Sequence, residues 1–231
     1  MPNYQLLTST EHKALRVKPT VQNEPHFVQV VASEFSTAAT SCPIMFTKDA
    51  ATGNFFAGVV LSLKPGDPPI KDVVARGGFV PLSIQFNGFY IADQHIAIDR
   101  DNPRFSDSEG ELLFTESDQP GDYLRQVQNA LGKFHAGVDA TNNFIKSLVE
   151  LKLIELVDMT LNFDNGERLL IDGLYTVTLD GLKELDDATV LHLFRAGHLE
   201  LAYIVAGSLK QFGVLAHLRN QSTKAQSTKT S

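Results

Sequence analysis

The sequence predicts an α+β fold, strand-rich first and helix-rich afterwards. Before about residue 100, short apolar runs are separated by turn residues; from about residue 121, apolar residues recur every three or four positions. Strands and helices are also segregated along the chain rather than alternating, which argues against a doubly wound parallel sheet.

Phe27–Val31 reads as a short strand, and Ser33 is placed to N-cap a brief helix reaching Ala39. Pro43–Thr47 and Phe55–Leu63 read as strands joined by a turn containing Gly53-Asn54. Lys64-Pro65-Gly66-Asp67-Pro68-Pro69 reads as a rigid loop, since proline fixes φ and removes donors. Phe89–Ala92 and His95–Ile98 form a hairpin around Asp93-Gln94, and 99–122, aperiodic and polar, reads as a long loop.

Leu124, Val127, Leu131, Phe134, Val138, Ile145 and Leu148 lie on one helical stripe, with Thr141 in its gap, which predicts a helix from about Gly121 to Leu151. A hairpin follows. Val157, Met159, Leu161 and Phe163 alternate with polar residues, Asn165-Gly166 suits a type I′ turn, and a return strand Glu167–Val177 would put Leu169, Ile171, Tyr175 and Val177 on one face. Asp180 and Asp186 are candidate helix caps, Gly197 a helix stop, and His198–Leu218 a last helix. The expected organisation is one domain over 1–219, β-rich to about 119 and helix-hairpin-helix from 120 to 219. The tail 220–231, NQSTKAQSTKTS, holds one apolar residue, Ala225, and is expected to be disordered.

The 231 residues carry 20 basic and 27 acidic groups, a net charge of −7. That acidity argues against a general nucleic-acid binder, which needs a basic footprint. It is also uneven: residues 93–122 alone hold nine acidic groups against Arg100 and Arg104. The single cysteine, Cys42, excludes an internal disulfide. No signal-peptide run opens the chain, and the longest apolar stretch, Phe55–Leu63, is half a membrane span, so the expectation is a cytoplasmic protein without membrane insertion. No GxSxG, HExxH, P-loop or GxGxxG motif is present, which disfavours the serine hydrolase, zincin, P-loop and dinucleotide-binding classes and leaves no cofactor expected.

An ordered series of segments resembles the SapC family of bacterial proteins. It begins with His12 and Leu15-Arg16, continues through Val30-Val31-Ala32-Ser33-Glu34-Phe35, Ala39 and Pro43-Ile44-Met45-Phe46, and reaches Phe79-Val80-Pro81. Ile96-Ala97-Ile98-Asp99, Asp101, Pro103-Arg104 and Leu113-Phe114 follow. The series then takes in Asp172-Gly173-Leu174-Tyr175-Thr176-Val177, Leu182, Leu185, Asp187, Leu193 and Gly197-His198-Leu199, and ends with Tyr203, Ser208-Leu209 and Leu215. The chain departs from the family pattern at Cys42, where a tyrosine is usual, and at Thr178-Leu179-Asp180, where an acid usually comes sooner. The resemblance implies an accessory role near TonB-dependent receptors, tryptophan-halogenase-like flavoproteins and cupin-like proteins, and a name tied to surface layers. It implies no established active site.

The residues themselves offer candidates. Glu34, Asp99, His12 and Tyr175 lie in the family-like segments and are types that do acid–base work, so they would carry a spatially assembled site. Asp99, Asp101 and Asp107, with Glu109 and Glu111, crowd one loop and could hold calcium, although the EF-hand order is absent; a hydrated loop is the simpler reading. His135 and Asp139, i and i+4 on the long helix, are more simply a solvated pair. Cys42 reads as a buried structural thiol, and Tyr203, like Tyr175, as a core or pocket residue. The leading expectation is a non-catalytic protein that binds a peptide or protein partner. An unrecognised acid–base enzyme and a surface-layer component are the alternatives, and the 124–148 stripe allows a homodimer.

Overall fold

The computed structural model describes residues 3–18, 25–64 and 79–229, with side chains through Thr223. Pro65–Pro69, the body of the expected rigid loop, falls outside them. In chain order the strands and helices are β1 (Tyr4–Leu6), α1 (Ser9–His12), β2 (Arg16–Val17), β3 (Phe27–Gln29), α2 (Phe35–Ala38), β4 (Ile44–Lys48) and β5 (Phe55–Val60). Next come α3 (Leu82–Gln85), β6 (Phe89–Ala92), β7 (His95–Asp99), β8 (Phe105–Ser106), β9 (Glu111–Leu112) and the long α4 (Asp122–Glu150). The last are β10 (Ile154–Leu156), β11 (Met159–Asn162), β12 (Arg168–Ile171), β13 (Tyr175–Val177), α5 (Leu179–Lys183), α6 (Asp187–Arg195), α7 (His198–Ser208) and α8 (Gln211–Lys229). The fold is α+β, with a strand-rich first half.

The chain forms two compact units. One comprises Met1–Glu24 and Leu82–Ala136, the other Pro25–Pro81 and Gly137–Ser231. Each unit therefore draws on both halves of the sequence, and α4 contributes its first half to one and its second half to the other. The stripe divides accordingly. Leu124, Val127 and Leu131 of it are buried in the first unit, Ile145 and Leu148 in the second, and Phe134 and Val138 between them are half-buried.

The first unit holds two small sheets, ordered β1-β7-β6 and β8-β2-β9. The second sheet is built from two-residue strands, two of them, β8 and β9, inside the stretch expected to be a loop, and it holds Val17 against Phe105 and Leu113 in a core with Phe89, Ile98 and Leu124. Arg104 ties this core to α3. Its guanidinium is buried and donates from one nitrogen to the carbonyls of Ile84, Gln85 and Asn87 at 3.1, 3.3 and 3.1 Å, at the C-terminal end of the short helix, where the Asn87 amide and the Tyr123 hydroxyl also donate to Ile84 and Gln85. A cation is well matched there, because the carbonyl ends carry partial negative charge.

The second unit is centred on a five-stranded sheet, β10-β13-β4-β5-β3, antiparallel at every pairing. The β4–β5 turn is organised by Asp49, whose Oδ1 accepts from the Thr52 amide at 2.8 Å, the Thr52 hydroxyl at 2.9 Å and the Ala51 amide at 3.1 Å; these bonds, those from Thr52 foremost, hold its carboxyl below the usual range. On β4, Ile44 and Phe46 direct their backbone groups toward β13, but β13 meets β4 only at Tyr175 opposite Phe46. Ser208 of α7 replaces the missing strand: its buried Oγ accepts from the Ile44 N–H at 2.8 Å and donates to the Val205 carbonyl at 2.6 Å.

Several local expectations are corrected. Ser33 does not cap; it sits in a 3₁₀ turn, Ala32–Glu34, whose N-cap is Val31. The β11–β12 hairpin turns not through a type I′ pair but through three residues. The Gly166 amide bonds the Phe163 carbonyl, Gly166 alone takes φ +84°, and Phe163 N–H meets the Glu167 carbonyl, which is a type I turn with a glycine bulge. The return strand is not continuous, because Gly173 at φ +70° breaks it and sends β13 to the other sheet. Thr178, not Asp180, caps α5 by accepting from the Gly181 amide; Asp180 pairs with Lys183 instead. Asp186 caps α6 as expected.

The last helix is two, broken at Leu209-Lys210, and α8 continues through Lys229 into the stretch expected to be a disordered tail. Gln, Lys and Ala in that stretch have fair helix propensity, whereas the tail expectation weighed only its lack of apolar residues. Arg219 of α8 pairs with Glu167 at 2.9 Å and lies 4.3 Å over the Phe163 ring, fixing the β11–β12 hairpin to this helix. By length and composition alone, His198–Thr223 is apolar enough to cross a membrane; a third of its most apolar window is buried in the unit.

Candidate functional site

His12 ends α1, and its ring is 6% exposed. The Thr8 amide donates to Nδ1 at 3.3 Å, so the network assigns the proton to Nε2, which donates to Gln5 Oε1 at 3.2 Å. The imidazole is thus a clamp between α1 and β1, with both nitrogens in use. It lines a cleft of about 430 Å³ with Gln5, Glu11, Leu15, Arg100 and Asp107. Across that cleft Arg100 and Asp107 already form an ion pair of 2.6 Å.

Asp99 is an organiser of backbone. Its Oδ1 accepts from the Asn3 amide at 3.0 Å and from the Asp101 amide at 3.3 Å, joining the chain's start to the end of β7. Asp101 accepts from Asn3 Nδ2 at 3.4 Å, Glu109 pairs with Lys18, and Glu111 accepts from the Tyr123 amide. Asp99 and Asp101 thus share Asn3 while Glu109 and Glu111 serve other partners, and among the described residues no three His, Cys, Asp or Glu side chains converge as metal ligands do.

Of the other two acid–base candidates, Glu34 is 6% exposed and accepts from the Val31 amide at 3.0 Å, which is half of a capping box. It is more deeply buried than a half-buried general acid would be. Tyr175 packs edge-on to Phe55, centroids 4.9 Å apart, with Lys48 Nζ 5.6 Å from its ring centre. His12 and Asp99 belong to the first unit, Glu34 and Tyr175 to the second. Cys42 is fully buried and its thiol is pushed up to about 12, so it is inert rather than nucleophilic. His135 and Asp139 are both exposed. Tyr203, expected in a core or pocket, is 53% exposed, because α7 turns its Ala202 and Val205 side inward instead.

Elsewhere in the second unit a cleft of about 330 Å³ is lined by Ser147, Glu150, Leu151, Thr189, His192 and Leu193. Nearby, burial and then the charge of His192 lower the His198 pKa.

The feature that sequence reasoning missed is the open face of the β1-β7-β6 sheet. Antiparallel register sets Tyr4 opposite Asp99, Leu6 opposite Ala97, and Tyr90 opposite Ala97 from the other side. Alternation sends Phe89 and Ile98 into the core and leaves Tyr4, Leu6, Tyr90 and Asp99 on the outer face. Ala97 is small enough for the two tyrosines to meet over it, edge to face, with centroids 5.0 Å apart. Tyr4 is 58%, Leu6 51% and Tyr90 40% exposed. Burial, then Tyr4 and the Asp99 charge, raise the Tyr90 hydroxyl. The Tyr4-Gln5-Leu6 alternation was the available signal, but its partners lie some ninety residues away and only the register reveals them.

No curated protein and no solved structure matches the chain. A family model does, over residues 7–215, which begins just after β1, ends in the opening turns of α8 and therefore takes in most of both units. The chain belongs to the SapC family.

Proposed function

We propose that this SapC-family chain is a non-catalytic accessory protein that binds a peptide or protein partner in the cytoplasm. The open aromatic sheet face carries the reading. Exposed tyrosines beside an aliphatic residue are the composition of binding hot spots, offering large contact area at low entropic cost. The engagement of the acid–base candidates supports it: His12, Asp99 and Glu34 each hold backbone or a side chain of their own unit. A link to TonB-dependent uptake, or to halogenase- or cupin-type modification enzymes, rests on the family resemblance. The test is affinity purification of the full-length protein from its native cell under mild salt. A partner recovered in stoichiometric amount is expected; recovery of the chain alone, with no bound protein or peptide, would overturn the reading.

A further inference from the structure

Most of the outer face of the β1-β7-β6 sheet is neutral and aromatic, but one carboxylate opens onto it. Asp99 stands opposite Tyr4. Its Oδ1 is held by two backbone amides, whereas Oδ2 has no hydrogen-bond donor among the described residues. The neighbouring cation in sequence, Arg100, is turned to Asp107. Two tyrosine rings, whose faces attract cations, therefore flank an anchored carboxylate with an available oxygen. Leu6 beside them gives an apolar bed for the methylene stem of a long side chain. The surrounding segment 93–122 carries nine acidic groups and two basic ones, a field that draws cations and repels anions.

We propose that this face seats an arginine or lysine of a basic, partly apolar segment of the protein partner, with the cation between Tyr4, Tyr90 and Asp99 and its stem along Leu6. This inference rests on the partner-binding reading and names the chemistry of the partner. Charge complementarity selects it over the other occupants of an exposed sheet face. An acidic segment would meet Asp99 and the field around it, a purely apolar one would desolvate the carboxylate without pairing it, and a second copy would bring two Asp99 carboxylates together.

The experiment titrates the full-length protein with an end-capped hexapeptide of alternating leucine and arginine, and with matched peptides carrying glutamine or glutamate in place of arginine. The chain has no tryptophan and two of its five tyrosines are at the site, so the tyrosine fluorescence lost in the double tyrosine variant is the signal followed, and calorimetry gives the affinity. The arginine peptide is expected to bind, more weakly as salt rises, and the glutamate peptide to fail. Asp99→Asn keeps an oxygen for both amides and removes only charge; it should weaken binding about three- to tenfold. Tyr4→Ser with Tyr90→Ser should weaken it about tenfold or more, while Tyr90→Phe, which keeps the ring, should stay within about twofold. No binding by the arginine peptide, equal binding of the glutamine peptide, or affinities unmoved in Asp99→Asn and the double tyrosine variant would each overturn the proposal. Self-association abolished by the tyrosine changes would assign the face to a second copy instead. If a native partner is recovered equally with the double variant, this face is the wrong seat while the partner-binding reading stands.

Discussion

Ser208→Ala removes one oxygen from the middle of the second unit, and its consequence follows from the strand register. On the β5 side, β4 is fully paired; on the other side the Ile44 amide has only the Ser208 hydroxyl, at 2.8 Å. Both residues are buried, at 1% and 0% exposure, so water has no ready access to replace the acceptor. Losing it leaves a buried N–H unsatisfied, at a cost of roughly 1–3 kcal/mol. For a chain of this size that corresponds to a fall in Tm of about 2–10 °C. Thr47→Val on the same strand is the control: its hydroxyl donates to the Gly173 carbonyl at 3.2 Å in an exposed setting, where water can substitute. Thermal and urea unfolding of both variants should separate them clearly. A Ser208→Ala protein whose midpoint stays within about 1 °C of wild type would refute the claim that α7 completes the sheet.

Gly58→Ala should destabilise the central sheet by about 1–3 kcal/mol, since a Cβ there would sit 2.3 Å from the Phe27 ring and 2.7 Å from the Val28 carbonyl oxygen; urea midpoints will show it. Arg104→Met should cost about 1–3 kcal/mol by taking the guanidinium donor from the Asn87 carbonyl and from the Ile84 and Gln85 carbonyls that it shares with the Asn87 amide and the Tyr123 hydroxyl, and Arg104→Lys should recover only part of that, again read from unfolding. Cys42, buried and with its thiol near 12, should resist iodoacetamide at mildly alkaline pH and react fully once the protein is unfolded, by mass shift. His198 is depressed in the folded protein, so the unfolded chain binds the proton more readily. Its contribution is present above the ordinary value of 6.5 and is lost as pH falls from there through the folded value; His198→Gln should flatten that part of the stability profile.

Much of the helical half was legible because a packed helix leaves a periodic record. Leu124, Val127 and Leu148 fix α4 to within a residue or so at each end, and Asp186 is a cap that acts locally, on an amide three residues ahead. The β6–β7 hairpin was legible for the same reason, since its partners adjoin in sequence. Features set by distant partners were not. Strands of two residues, such as β2, β8 and β9, are too short to show a period, and they exist because they pair with one another across some ninety residues. The join of β10 to β13, and of Ser208 to Ile44, is likewise invisible to local patterning. At the site, sequence types alone singled out His12, Asp99 and Glu34, and Asp99 does border the open face. The tyrosines that flank it belong to β1 and β6, which meet only through β7 between them.

The central claim is that this face holds a basic protein partner, and one side-by-side measurement tests it most directly. Tagged full-length wild type and the Tyr4→Ser, Tyr90→Ser variant are purified from the native cell, and bound partner is counted by intact-complex mass, with cross-linking to locate the contact. The account predicts a stoichiometric partner on the wild type, cross-linked through a lysine- or arginine-bearing segment to residues around Asp99, and its loss from the variant. Equal partner on both proteins, or a contact mapped to the second unit, would contradict it.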